Sequence, residues 1–289
     1  MSRFARHPLA LASALVLLIL AGLALAAPLI AALLGVDATS VSLLDRYAGP
    51  SAAHLLGTDE LGRDVLIRLL EGGRVSLFVG VTAALAAAGL GTAIGLPAGY
   101  FGGRLDALLM RLTDGVIALP LLPLLIVLAA VPAERLGLGG DPASAGLLRI
   151  VGLVALAGWT TAARLVRGAT LATRRLEYVR AAEALGAGPW RIMLRHILPN
   201  VAAPLVVATT LSVGNIILLE SVLSFLGLGI QPPLPSWGNM LTNAQELIST
   251  APLLAVWPGL LIFVTVMACN LLGDGLQDAL DPRSLERRG

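Results

Sequence analysis

The chain of 289 residues is 57% hydrophobic and only 13% charged, against about 25% charged in soluble domains, so it reads as an integral membrane protein. Its net charge of +2 leaves no nucleic-acid footprint. All 20 basic residues are arginine, and a chain without lysine has neither the phosphate-cradling P-loop nor a Schiff-base nucleophile.

A bilayer crossing takes about 20 apolar residues. Six such runs are predicted, at Leu9–Leu34, Val75–Tyr100, Leu112–Val131, Leu147–Arg167, Val201–Phe225 and Pro252–Leu272, giving an all-α fold with six transmembrane helices. Arg3 and Arg6 precede the first run, and Ala24–Ala26 imitates a signal-peptidase site. The run nevertheless exceeds the about 7–15 apolar residues of a signal peptide, so it is read as a retained span.

After it, Asp59–Glu71 is predicted to be an amphipathic helix on the outer membrane face. Leu61, Val65, Leu66, Leu69 and Leu70 share one side, and Asp59–Arg63 and Asp64–Arg68 form acid-before-base pairs. His54, Asp59, Glu60 and Asp64 are the nearest approach to a metal-ligand group, but isolated His and carboxylates seldom make a site, and no metal or cofactor is expected.

In the second span Gly91, Gly95 and Gly99 recur every four residues, a small-residue stripe suited to close helix packing. It serves packing within the chain or against a second subunit; sequence leaves both open. Pro120 and Pro123 predict a kink in the third span. The fourth has a short uncharged centre, Ile150–Ala163, so Arg149 and Arg164 must snorkel. In the fifth, Glu220 is an acid well inside an apolar run, a pathway or gating candidate, with Asn215 as its hydrogen-bond partner. A packing or gating role is favoured over direct substrate contact. Gln231–Gly238 is a proline-stiffened outer loop, with Trp237 at the membrane–water interface. Cys269, alone in the sixth span, has no cysteine to pair with.

With the N-terminus inside, 14 arginines fall on cytoplasmic pieces and 6 on outer ones, which predicts both termini in the cytoplasm. That places the stretch Tyr178–Asn200 on the inner face. Tyr178, Ala181, Ala182 and Leu185 are spaced to form one apolar stripe, with Arg180 and Glu183 opposite. Gly186 is predicted to close this short helix in the left-handed conformation, and Pro189 to open a second one carrying Ile192, Met193 and Ile197. So short a helix needs something to lie against. Physics alone allows either a lipid surface or a groove on a cytoplasmic partner.

This segment resembles the EAA loop of bacterial ABC importer permeases. Arg180-Ala181-Ala182 stands at the EAA positions, Gly186 at the glycine, and His196-Ile197-Leu198-Pro199 at the closing motif; Arg180 replaces the glutamate and His196 an isoleucine. Arg195–Asn200, Leu55–Leu77, Leu218–Leu241 and the tail motif Asp281–Arg283 resemble the C-type subunits of the dipeptide/oligopeptide/nickel group, in order along nearly the whole chain.

The resemblance implies a type I permease forming half of a translocation pathway in the bacterial inner membrane. A second permease subunit, two cytoplasmic ATPase subunits and a periplasmic or lipid-anchored substrate-binding protein would be its partners, with membrane lipid around it. Coupling to the ATPase would run through Tyr178, Arg180, Ala181, Ala182, Glu183, Leu185 and Gly186, and no residue would do covalent chemistry. The chain then divides into a first span with outer segment (1–73), a permease domain (74–273) with coupling loop 169–199, and a cytoplasmic tail (274–289). Di- or oligopeptides are the expected substrate, with nickel or glutathione-like solutes the alternative. A secondary transporter using Glu220 as a proton relay is disfavoured because no inverted repeat is visible. A membrane hydrolase is disfavoured because His7, His54 and His196 lie outside the spans.

Overall fold

The computed structural model describes residues 7–132, 135 and 142–280. Among them the regular structure is helical: α1 Pro8–Leu34, α2 Val65–Phe101, α3 Gly103–Ile117, α4 Leu121–Ala129, α5 Pro142–Thr173, α6 Glu177–Ala184, α7 Pro189–Ile192, α8 Leu198–Phe225, α9 Ala244–Thr250 and α10 Pro252–Leu280. A π turn, Met193–Ile197, joins α7 to α8. The tail motif at Asp281–Arg283 lies outside the described residues.

Among the described residues five helices are long and apolar enough to cross a membrane: α1, α2, α5, the run Pro189–Phe225, and α10. The predicted third crossing is more than kinked. It is the pair α3–α4, bent by 81°. Pro120 stands extended (φ −65°, ψ 111°) ahead of α4 and forces the residue before it out of the helix, so α4 restarts in a new direction with only 9 residues.

The segment ahead of α2 corrects a second expectation. No helix starts at Asp59. The chain makes a tight turn in which Thr58 bridges Asp64 and Gly62 takes φ +73°. Asp59 Oδ1 accepts from the backbone N–H groups of Leu61 and Arg63, at 2.8 and 3.0 Å, which holds the turn against the helix. Asp64 is the N-cap of α2, accepting from Ile67 N at 2.9 Å, and the helix then runs unbroken to Phe101. The Asp59–Arg63 pair forms at 2.7 Å, but Arg68 turns to Asp59 at 3.2 Å, because Asp64 is taken by its cap and by His54 Nδ1, 3.0 Å away.

Helix α2 is the axis of the bundle. One side lies along α5, and there the glycine stripe finds its use. A methyl group at Gly91 would come within 2.7 Å of Ala163 N and Trp159 O, and one at Gly99 within 2.8 Å of Arg167 O. Gly95 would strike the carbonyl of Ala163. The stripe therefore packs α2 on α5 within one chain. The other side of α2 meets α8, with α10 beyond it, and α1 lies across α2 and α10 at the edge.

Arg149 reaches protein carbonyls, donating to Val131 O at 3.3 Å and Leu228 O at 3.4 Å. Arg164 and Arg167 pair with Asp114 and Asp106 of α3, each at 2.5 Å, tying the bent pair to α5. Trp237, expected at the interface, is only 2% exposed. It is buried against α2 and α10, and its Nε1 donates to Leu69 O at 2.9 Å. A nearby Gly73 leaves room for the ring: a methyl there would lie 2.8 Å from Trp237 Cζ2.

Candidate functional site: the elbow between α5 and α8

The chain leaves α5 at Thr173, turns, and forms α6. The turn that follows α6 is set by Gly186 at φ +82°, where L side chains are strained. Gly186 N donates to Glu183 O at 2.9 Å and Ala187 N to Ala182 O at 3.0 Å. This pair is a Schellman motif, built on the left-handed glycine cap that the sequence predicts. Pro189 then opens α7.

Which face of α6 is inward differs from the sequence expectation. Val179 is fully buried and packs with Leu96, Tyr100, Val166, Ile192, Met193, Ile197 and Val201. The predicted stripe points largely outward: Leu185 is 89% exposed, Tyr178 and Ala181 are exposed, and Ala182 is half-buried. Arg180 and Glu183 are exposed as well. Spacing identified an amphipathic helix but placed the anchor one residue off, because Val179 is the residue of α6 that meets the apolar side chains of α2, α5, α7 and the start of α8.

Polar contacts lock the elbow to the bundle. Tyr100 Oη, at the end of α2, donates to Glu183 Oε1 at 3.3 Å, and Arg174 Nη1 donates to Tyr100 O at 2.5 Å. The Arg174 guanidinium also lies 5.2 Å from the centre of the Tyr100 ring. On the α8 side, Asn200 Nδ2 donates to Tyr178 Oη at 2.9 Å and to His196 O at 2.8 Å. Tyr100, Arg174, Val179 and Asn200 escaped the sequence reading. Apart from Asn200, which ends the Arg195–Asn200 motif, they belong to no local motif, and the long-range side-chain bonds of Tyr100, Arg174 and Asn200 span 22 to 83 residues of the chain.

The second candidate lies at the far end of α8. Glu220 is fully buried. Its Oε1 accepts from Ser224 Oγ at 2.7 Å and its Oε2 from Ser76 Oγ of α2 at 3.2 Å. Both serines also accept from the return loop: Ser224 Oγ from Ile230 N at 3.0 Å, Ser76 Oγ from Trp237 N at 3.2 Å. Asn215 is not brought to Glu220. It is exposed on another face of α8, as five residues of helical rotation require. Serine hydroxyls satisfy the carboxylate instead.

Comparison with known proteins decides the family. Residues 91–286 match the family model described as binding-protein-dependent transport system inner membrane component, and residues 1–50 match the N-terminal TM domain of oligopeptide transport permease C. The chain belongs to this family of ABC importer permeases.

The permease is 42% identical over 282 residues to the glutathione transport system permease protein GsiD of Pectobacterium atrosepticum, covering 97% of this chain and 89% of that one. It is likewise 42% identical to GsiD of Escherichia coli, over 97% of this chain and 88% of the relative. With the dipeptide transport system permease protein DppC of Alkalihalophilus pseudofirmus it shares 41% over 239 residues, 83% of this chain and 75% of that one. The permease is thus a multi-pass inner-membrane protein of the peptide/nickel group, and membership implies ATPase and binding-protein partners.

Proposed function

We propose that this permease forms half of the pathway of an ATP-driven importer of short peptides, glutathione-like peptides included, paired with a second permease. Residues 169–199 face the cytoplasm with both termini, and α6 docks into a groove of an ATPase subunit. Nucleotide-driven closure of the ATPases moves α6, and its anchors carry that movement to α2 and α8. The peptide class is supported by the relatives, named for dipeptide and glutathione transport. Glu220 acts in this scheme as a joint between α2, α8 and the outer loop, away from the substrate.

One observation carries the docking role. Apolar side chains stand in the open on a rigidly tethered elbow: Leu185 is 89% exposed and Trp190 66%. Exposed apolar groups held in place by buried anchors mark a surface meant to be covered. The test is cysteine cross-linking in the assembled transporter, with Leu185→Cys paired against cysteines placed around the ATPase groove. Nucleotide-sensitive cross-links are expected. Cross-links to lipid or to the binding protein alone would overturn the docking assignment.

A further inference from the structure

A cavity of about 320 Å³ lies at the end of the bundle opposite the elbow, between the start of α2 and the loop that returns from α8 to α9. Its volume falls at the lower end of the range for small-ligand sites. One wall holds Asp59, Glu60, Arg63 and Arg68; the other includes Gln231 and Thr242.

The two acids and two arginines of the first wall balance in charge, but their hydrogen bonds are unevenly shared. Arg63 Nε takes Asp59 Oδ2 at 2.7 Å, and its Nη2 takes Glu60 Oε1 at 3.0 Å. Arg68 is left with the same Asp59 oxygen at 3.2 Å, outside hydrogen-bond alignment, and with a 3.3 Å bond from Nη1 to Ala38 O. Its Nε is buried with no hydrogen-bond partner, although the residue is only 5% exposed. One Asp59 oxygen thus serves two guanidinium groups and is aligned with only that of Arg63, and a second carboxylate is the group that would best answer Arg68. Gln231 and Thr242 are exposed on the facing wall; Gln231 Nε2 donates to Gly227 O at 2.7 Å, which leaves its Oε1 and the Thr242 hydroxyl to meet a peptide unit.

We propose that this cavity is a binding site for the C-terminal carboxylate of a short peptide, received by Arg68, with Gln231 and Thr242 against the adjoining amide. The choice of a peptide rests on the importer reading above; the carboxylate is chosen by the guanidinium. The site lies within one permease chain, and it places a selective element in the membrane subunit itself.

The test uses the transporter assembled with its partner subunits in nanodiscs, without binding protein or nucleotide. Cys269, which is buried, is replaced by alanine, and Met240→Cys, a lining position outside the proposed contacts, provides the thiol at the cavity. Its rate of modification by a charged thiol reagent is measured against increasing alanyl-alanine. Protection by alanyl-alanine is expected, with none from its C-terminal amide. Arg68→Gln is expected to raise the half-protecting concentration by roughly tenfold or more, and Arg68→Lys by less.

Equal protection by the acid and the amide, no protection by either, or wild-type protection in Arg68→Gln would overturn the proposal. Should Arg68→Gln fail to assemble, the acid–amide comparison at wild-type Arg68 still decides. ATP-dependent peptide uptake is recorded in parallel. Uptake without protection removes this site and leaves the importer reading standing, whereas protection without ATP-driven uptake does the reverse.

Discussion

The hydroxyl of Tyr100 donates to the carboxylate of Glu183 across 83 residues of sequence, joining the last turn of α2 to the helix of the elbow. Arg174 grips the same tyrosine through its carbonyl and its ring face. The end of the central span and α6 therefore share one tether. Tyr100→Phe removes the hydroxyl and keeps the ring contact with Arg174. It is expected to loosen α6 by about 0.5–1.5 kcal/mol, the net worth of a hydrogen bond. Faster amide exchange in residues 177–184, with the rest of α2 unchanged, is the readout; unaltered exchange would show that Val179 and the Tyr178–Asn200 bond hold the helix without it.

Gly186 is required for its backbone and not for lack of space. No atom lies within 4 Å of where a Cβ would sit, yet φ is +82°. Gly186→Ala should therefore cost about 1–2 kcal/mol of local stability, and Gly186→Asn less. Gly186→Pro cannot adopt the angle and also loses the bond to Glu183 O. We expect Gly186→Pro, and Ala182→Asp on the half-buried side of α6, to leave ATP hydrolysis running while transport falls. The ratio of peptide imported to ATP consumed measures this, and wild-type ratios would refute the docking role of α6.

The α2–α5 contact offers a test of packing alone. A methyl at Gly95 meets the carbonyl of Ala163, a backbone atom that cannot rotate away. Gly95→Ala is expected to destabilise the detergent-solubilised protein by about 1–3 kcal/mol through overpacking. Gly89, where an added Cβ meets nothing within 4 Å, serves as the control. Thermal unfolding should separate the two, and equal melting temperatures would mean that the helices sit further apart.

Glu220 holds two serines that in turn hold the return loop. Glu220→Leu removes both hydroxyl acceptors at once and is expected to cost about 1–3 kcal/mol. Glu220→Gln retains an acceptor and should cost less. A double-mutant cycle with Ser76→Ala should show coupling, because the two side chains share one bond across α2 and α8. Additive effects on unfolding would mean that Glu220 does not join the helices. Transport in Glu220→Gln also tests the proton-relay alternative, which requires an ionisable group at this position.

Composition and periodicity alone determined that this is a helical membrane protein and excluded a P-loop, whose lysine the chain lacks. They placed the spans, the helix over 177–184 and the turn at Gly186. These features are local: hydropathy, the missing lysine and the φ requirement of a glycine cap are written in neighbouring residues. The tertiary structure decided the rest. It broke the third crossing at Pro120, moved the start of the second helix to Asp64, and assigned the glycine stripe to α5. It also buried Val179 in place of the Tyr178 stripe, and gave Glu220 serines from two segments instead of Asn215. Each of these depends on which side chain fills a space, or satisfies a polar group, supplied by residues far away along the chain. Periodicity can tell that a helix has two faces, but only its packed neighbours determine which of them is covered.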